Sequence, residues 1–254
     1  MSLDTYWALS RTHTYSLLFA IPLLLAYEAL AWLMNARAPG GRQLRNLADV
    51  VLRSWLERLG LHGTGALIGV VLVVALVIVA REWRARPVPL HGWVFGGMLL
   101  ESAVLAGLFG LVVGRLTAAV LAPLGAAGGG AAAVSAAGQA QLTTGQQLVL
   151  SLGAGIYEEL LFRVVVVGAV GWAIAQAGLA TDGAAALAAA AISALVFSLA
   201  HYVGPYGDAF AAGSFVFRFL GGLVFSAIYV VRGFGIVTWT HALYDVLFLL
   251  LWRR

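Results

Sequence analysis

The residues with most capacity for chemistry lie where the chain is otherwise most apolar. Tyr157-Glu158-Glu159-Leu160-Leu161-Phe162-Arg163 sets three formal charges inside the hydrophobic run 148–174. An ionisable group at bilayer depth costs several kcal/mol and is by default a functional-site hypothesis with a partner to be named. If the run is helical, Glu159 and Arg163 stand one above the other at i and i+4, acid first, and neutralise each other. Glu158 lies about 100° further round the helix, so this pairing leaves it available as an acid or base. Taken alone, the three charges fit a buried ion network that fixes helix packing equally well.

Two further segments add to them. Of the five histidines, His13, His62 and His91 fall in loops or flanks, whereas His201 and His241 fall inside apolar runs. Phe197 and His201 are four residues apart, as are His241 and Asp245, so each pair shares a helix face. An Asp one turn after a His can accept from the ring and fix its tautomer. Three separate segments thus carry polar groups into apolar surroundings, and each is costly if it faces lipid. The arrangement that avoids the cost turns all of them toward one partly hydrated cavity. A Glu with two His is an acid–base set able to activate water, and the same residues could ligate a metal.

The elements that must position these groups are membrane helices. The chain has 254 residues, of which 62% are hydrophobic and 10% charged, with mean hydropathy +0.94. Soluble domains are roughly half apolar and a quarter charged. The apolar runs are continuous, not alternating, which excludes an outer-membrane barrel. The expected fold is an all-α polytopic bundle of about seven spans, near 15–33, 66–80, 92–121, 148–174, 184–203, 211–231 and 234–252. It forms a single membrane domain over 1–254, with N-terminal spans and loops in 1–146 and the motif-bearing core in 147–251. The stretch 37–58 carries five Arg, with Leu, Val and Trp recurring every three to four residues, and reads as an amphipathic helix in the headgroup plane.

Glu28 in the first span and Glu101 in the third are further acids in apolar surroundings, with no partner evident at helical spacing for Glu101. The Ala/Gly-rich stretch 122–145 reads as a flexible loop able to gate access to a site. The net charge of +4 comes from Arg clusters beside apolar runs, which fits loops facing anionic lipid and not nucleic-acid binding. Cysteine is absent, which removes disulfides, thiolate nucleophiles and Cys-ligated metals. The expected location is a cell (inner) membrane, crossed several times.

In order and spacing, Glu158-Glu159-x-x-x-Arg163, Phe197-x-x-x-His201 and His241-x-x-x-Asp245 resemble the CPBP family of intramembrane endopeptidases over about residues 147–251. That family comprises CAAX prenyl proteases and bacteriocin-processing or bacteriocin-immunity proteins, with members that trim C-terminal membrane anchors. The resemblance implies a metal-independent glutamate protease without cofactor. Its substrate would be a membrane protein, or a lipidated or C-terminally anchored peptide. Glu158 assisted by His201 would activate water, His241 and residue 245 would stabilise the oxyanion, and Glu159, Arg163 and Phe197 would support the site. Family members often carry Asn where this chain has Asp245. A carboxylate donates to an oxyanion only when protonated, so Asp245 is either held neutral or serves to orient His241.

Three other readings compete. A zinc protease could use His201, His241 and a carboxylate, although no His-Glu-x-x-His helix is present. A proton-coupled transporter would show two related halves with paired broken helices, and no such symmetry is visible. A non-catalytic scaffold or immunity factor would keep the motifs for packing. A serine nucleophile has no supporting motif at Ser151 or Ser198.

Overall fold

The computed structural model describes residues 2–36, 43–63, 65–125, 142–203 and 207–251. Most of the Ala/Gly-rich stretch (126–141), residues 204–206, Arg37 and Arg42 of the amphipathic stretch, and residues 252–254 lie outside the described residues. The described residues are helical throughout their regular structure and contain no strand. In order they form α1 (Leu3–Ser10), α2 (His13–Ala36), α3 (Leu47–Arg58), α4 (Ala66–Ala85) and α5 (Gly92–Leu121). These are followed by α6 (Thr144–Gly153), α7 (Val167–Gln176), α8 (Asp182–Ala200), α9 (Ala212–Arg232) and α10 (Phe234–Leu251).

Among the described residues five helices are long and apolar enough to cross a membrane: α2, α4, α5, α8 and α9. The other two expected spans take different forms. The last is the shorter α10. The fourth is a continuous helical rod from α6 to α7 whose middle, Ala154–Glu158 and Leu160–Val166, is wound as π-helix. Large apolar side chains cover the outside of the bundle. Along α4, Val73, Val74, Leu76 and Val77 are exposed. This inverted surface is stable only against lipid, and the chain is a multi-pass helical membrane protein.

The last helix is the hub of the packing. It lies against α2, α5, α6, α9 and the first π-helical segment, and Ile236, Val237, Thr238, Thr240, His241 and Ala242 are buried along it. Two glycines let the motif-bearing rod pack closely, Gly155 against this helix and Gly153 against α2 and Asn46. A Cβ on Gly155 would stand 2.6 Å from both the Ala242 Cβ and the Thr238 carbonyl oxygen, and one on Gly153 would stand 2.5 Å from the Tyr27 ring. No side chain fits either gap, so both residues are small by necessity.

The π winding is a departure from the α-helix expected over 148–174. A π turn holds more residues than an α turn, so the angular step from Glu158 to Glu159 is smaller than the α value. Such segments are rare and occur frequently at functional sites. The side-chain types that favour either winding are the same, and the tight approach at Gly153 and Gly155 depends on partners distant in sequence.

Candidate active site

The rod that carries the first motif starts at a firm stop. Thr143 and Gln146 form a reciprocal capping box, the Thr143 hydroxyl accepting from the Gln146 N–H and the Gln146 carbonyl oxygen accepting from the Thr143 N–H. From there the chain runs apolar into the bundle as far as the two acids.

Glu159 is fully buried, and its carboxylate meets two partners. Arg163 Nε lies 3.2 Å from Oε2, the pairing that the four-residue spacing implied, and His241 Nδ1 lies 2.6 Å from Oε1. A buried guanidinium needs more than one partner to offset its lost hydration. Arg163 finds a carbonyl at Gly222, 3.2 Å from Nη2, and two aromatic faces, with Cζ 4.8 Å from the Phe197 ring centroid and 5.4 Å from that of Phe225. The Phe197 ring also stands 5.0 Å from His201 and 6.2 Å from His241. Phe197 is therefore the apolar piece between two imidazoles and an arginine.

Hydrogen bonds assign both tautomers. The Nδ1 of His201 lies 2.8 Å from the carbonyl oxygen of Phe197, which can only accept, so Nδ1 carries the hydrogen and Nε2 of the neutral ring presents a lone pair. By the same reasoning His241 donates through Nδ1 to Glu159, and its ring stacks on Phe225 at 4.3 Å. Asp245 Oδ2 is 3.8 Å from His241 Nε2, too far for a hydrogen bond. The group that orients the His241 ring is thus Glu159 and not Asp245. The four-residue spacing puts His241 and Asp245 side by side without bonding them, because the shorter contact to Glu159 comes from another helix.

Glu158 points to a different side of the rod from Glu159. With His201 it lines a cavity of about 290 Å³ whose remaining wall is apolar, including Leu47, Val51, Trp55 and Phe162. His241 does not line this cavity, although it and His201 both lie within Coulombic reach of the Glu158 carboxylate. The structure therefore brings together Glu158, Glu159, Arg163, Phe197, His201 and His241, with Asp245 at the margin. Among the described residues no three His, Cys, Asp or Glu side chains are arranged to hold a metal ion.

One member of the site escapes the motifs. Asn46 Nδ2 donates to Glu158 Oε1 at 2.9 Å, from a position 112 residues earlier. Its sequence signal was an N-cap signal, an Asn directly before the apolar periodicity of α3, and nothing local points from there to Glu158. The amphipathic stretch is likewise more than a surface helix. Arg45 and Arg53 both pair with Glu28 and with buried Asp49, and Glu28 accepts from Tyr157, the residue before Glu158. These arginines are held by carboxylates inside the protein, so α3 is docked against the site and forms one wall of its cavity.

Residues 140–247 match the family described as Type II CAAX prenyl endopeptidase Rce1-like, in agreement with the CPBP resemblance of the three motifs. No curated protein and no solved structure matches the chain. The family match supports a membrane-embedded endopeptidase whose substrate is a membrane-associated protein.

Proposed function

We propose that this chain, whose motif-bearing half is similar to the Rce1-like endopeptidases, hydrolyses a peptide bond of a lipidated or C-terminally anchored protein, with Glu158 as general base. One observation carries the reading. Glu158 and His201, from different helices, each present an acceptor to the same largely apolar cavity. A water placed between a carboxylate oxygen and the His201 Nε2 has both hydrogens engaged and a lone pair directed away from them. That is the orientation needed for attack on a carbonyl carbon. Glu158 takes the proton as the water oxygen bonds to the carbon, and returns it to the leaving amine nitrogen as the C–N bond breaks.

The oxyanion falls to His241. Since Nδ1–H is committed to Glu159, a hydrogen at Nε2 exists only when the ring is protonated at both nitrogens, and in that form Nε2 can donate to the developing negative charge. Asp245 stands beside Nε2 and accompanies the charged ring electrostatically. Glu159, Arg163 and Phe197 hold His241 and His201 in place. Apolar walls on the cavity suit an aliphatic or lipid-modified segment entering from the bilayer.

The test compares the terminal peptides of membranes containing the wild-type protein or Glu158→Gln, each with and without a metal chelator. Cleavage by the wild type shifts the terminus of a membrane-associated protein, and Glu158→Gln leaves that protein uncut. Equal cleavage by both would remove Glu158 from the chemistry, and loss of cleavage to the chelator would favour a metal enzyme.

A further inference from the structure

Every polar atom of Asn46 has a defined partner in its amide and backbone. Its N–H donates to the Tyr27 hydroxyl at 3.1 Å, its Oδ1 accepts from the Ala48 N–H at 2.8 Å as the N-cap of α3, and its Nδ2 donates to Glu158 Oε1 at 2.9 Å. These partners leave no choice of amide orientation. A flipped side chain would oppose the Ala48 N–H with another donor and turn an oxygen toward the Glu158 carboxylate. The Tyr27 hydroxyl donates in turn to buried Asp49, so Asn46 is fixed from the backbone side as well. Among the described residues Glu158 accepts no other hydrogen bond, and the titratable groups around it include His201 from the end of α8, His241 and Asp245 from α10, and Glu159 and Arg163 on its own rod.

We propose that Asn46 is a positioning residue for Glu158, locking one carboxylate oxygen so that the other is presented to the cavity, and coupling the base to the helix that forms the cavity wall. The inference rests on the reading of Glu158 as the base. Leu47, Ala48 and Val51, which line the cavity, follow Asn46 directly in the chain. A substrate segment seated on α3 therefore presses on the same helix whose cap holds the base. The family match begins at residue 140, so this contribution comes from the half of the chain that carries none of the motifs.

Two substitutions separate positioning from capping. Ser and Asp both cap a helix about as well as Asn. Asn46→Ser keeps the cap, but a single hydroxyl cannot serve Ala48 and also reach Glu158. Asn46→Asp keeps the cap and sets a carboxylate against Glu158. Purified full-length protein is assayed in lipid vesicles on a peptide spanning the cleavage site found in the membrane comparison above, beside Glu158→Gln. For Asn46→Ser the expected result is a kcat lowered about 10- to 100-fold, the factor carried by one hydrogen bond to a charged group, with KM and Tm unchanged. Asn46→Asp should fall further, by more than any drop in its Tm accounts for. Wild-type kcat in either variant beside an inactive Glu158→Gln overturns the proposal and leaves the base assignment standing. So does a loss of kcat that only follows a lowered Tm in both variants. Activity in Glu158→Gln itself would instead strike down the reading on which the proposal depends.

Discussion

Two of the clusters in this bundle that pair an arginine with a carboxylate are built in opposite ways. In the first, Glu101 of α5 receives Arg232 of α9 through both oxygens, at 2.5 and 2.7 Å, and also the Tyr6 hydroxyl of α1 at 2.5 Å. Burial, and then its bond to Glu101, push the Tyr6 hydroxyl up to about 12, so it remains a donor at ordinary pH. Arg232 adds Ser10 and lies 3.9 Å over the Trp7 ring. Both oxygens of Glu101 are occupied, and the cluster clamps α1 onto the bundle. In the second, buried Glu159 takes a hydrogen bond from His241 on one oxygen and an ion pair with Arg163 on the other, while the adjacent Glu158 has one bond from Asn46 and an open cavity before it. Burial of charge is common to both clusters. What sets Glu158 apart from Glu101 and Glu159 is that it lines a cavity a small molecule can reach.

Substitutions should separate the two clusters. Glu158→Gln is expected to lower turnover by about 10²- to 10⁴-fold, the usual contribution of a general base, with little change in Tm, because its side chain makes one hydrogen bond. His201→Ala should cost about 10²-fold in kcat by removing the second acceptor on the water, measured on the same substrate. Gly155→Ala reaches the clamp between rod and last helix. Its new methyl collides with Ala242 and Thr238, so the expected loss is about 1–3 kcal/mol in stability, together with lower activity as Glu159 and His241 are pushed apart. Chemical or thermal unfolding in detergent measures the first part. Glu101→Gln gives the reverse of Glu158→Gln: about 1.5–3 kcal/mol of stability lost with a charged hydrogen-bond partner of Arg232, and kcat unchanged. A fall in kcat without a fall in Tm for Glu101→Gln would erase the distinction.

How much of this was legible in the sequence follows from distance along the chain. The helical membrane bundle was legible, since long continuous apolar runs leave the backbone no other way to satisfy itself in lipid. The Glu159–Arg163 pair was legible because four residues make one helical step, and so was the Phe197 carbonyl partner of His201, though as a shared face and not as a hydrogen bond. Contacts between distant segments were not. Glu101 offered no local partner because Arg232 lies 131 residues away, and Asn46 lies 112 residues before Glu158, with nothing local to point to it. The spacing that set Asp245 beside His241 could not show a nearer partner: Glu159, 82 residues earlier, reaches the ring at 2.6 Å across a helix interface that glycine keeps tight, while Asp245 stands at 3.8 Å. The π winding at Ala154–Val166 has no local signature either.

The most direct measurement is a single turnover in ¹⁸O-labelled water, with enzyme in excess over the membrane-anchored peptide. If Glu158 activates water, the first turnover places ¹⁸O in the new carboxyl terminus of the product and leaves the mass of the Glu158 peptide unchanged. Unlabelled product with ¹⁸O recovered on Glu158 would mean that this carboxylate attacks the substrate itself, and would contradict the general-base mechanism.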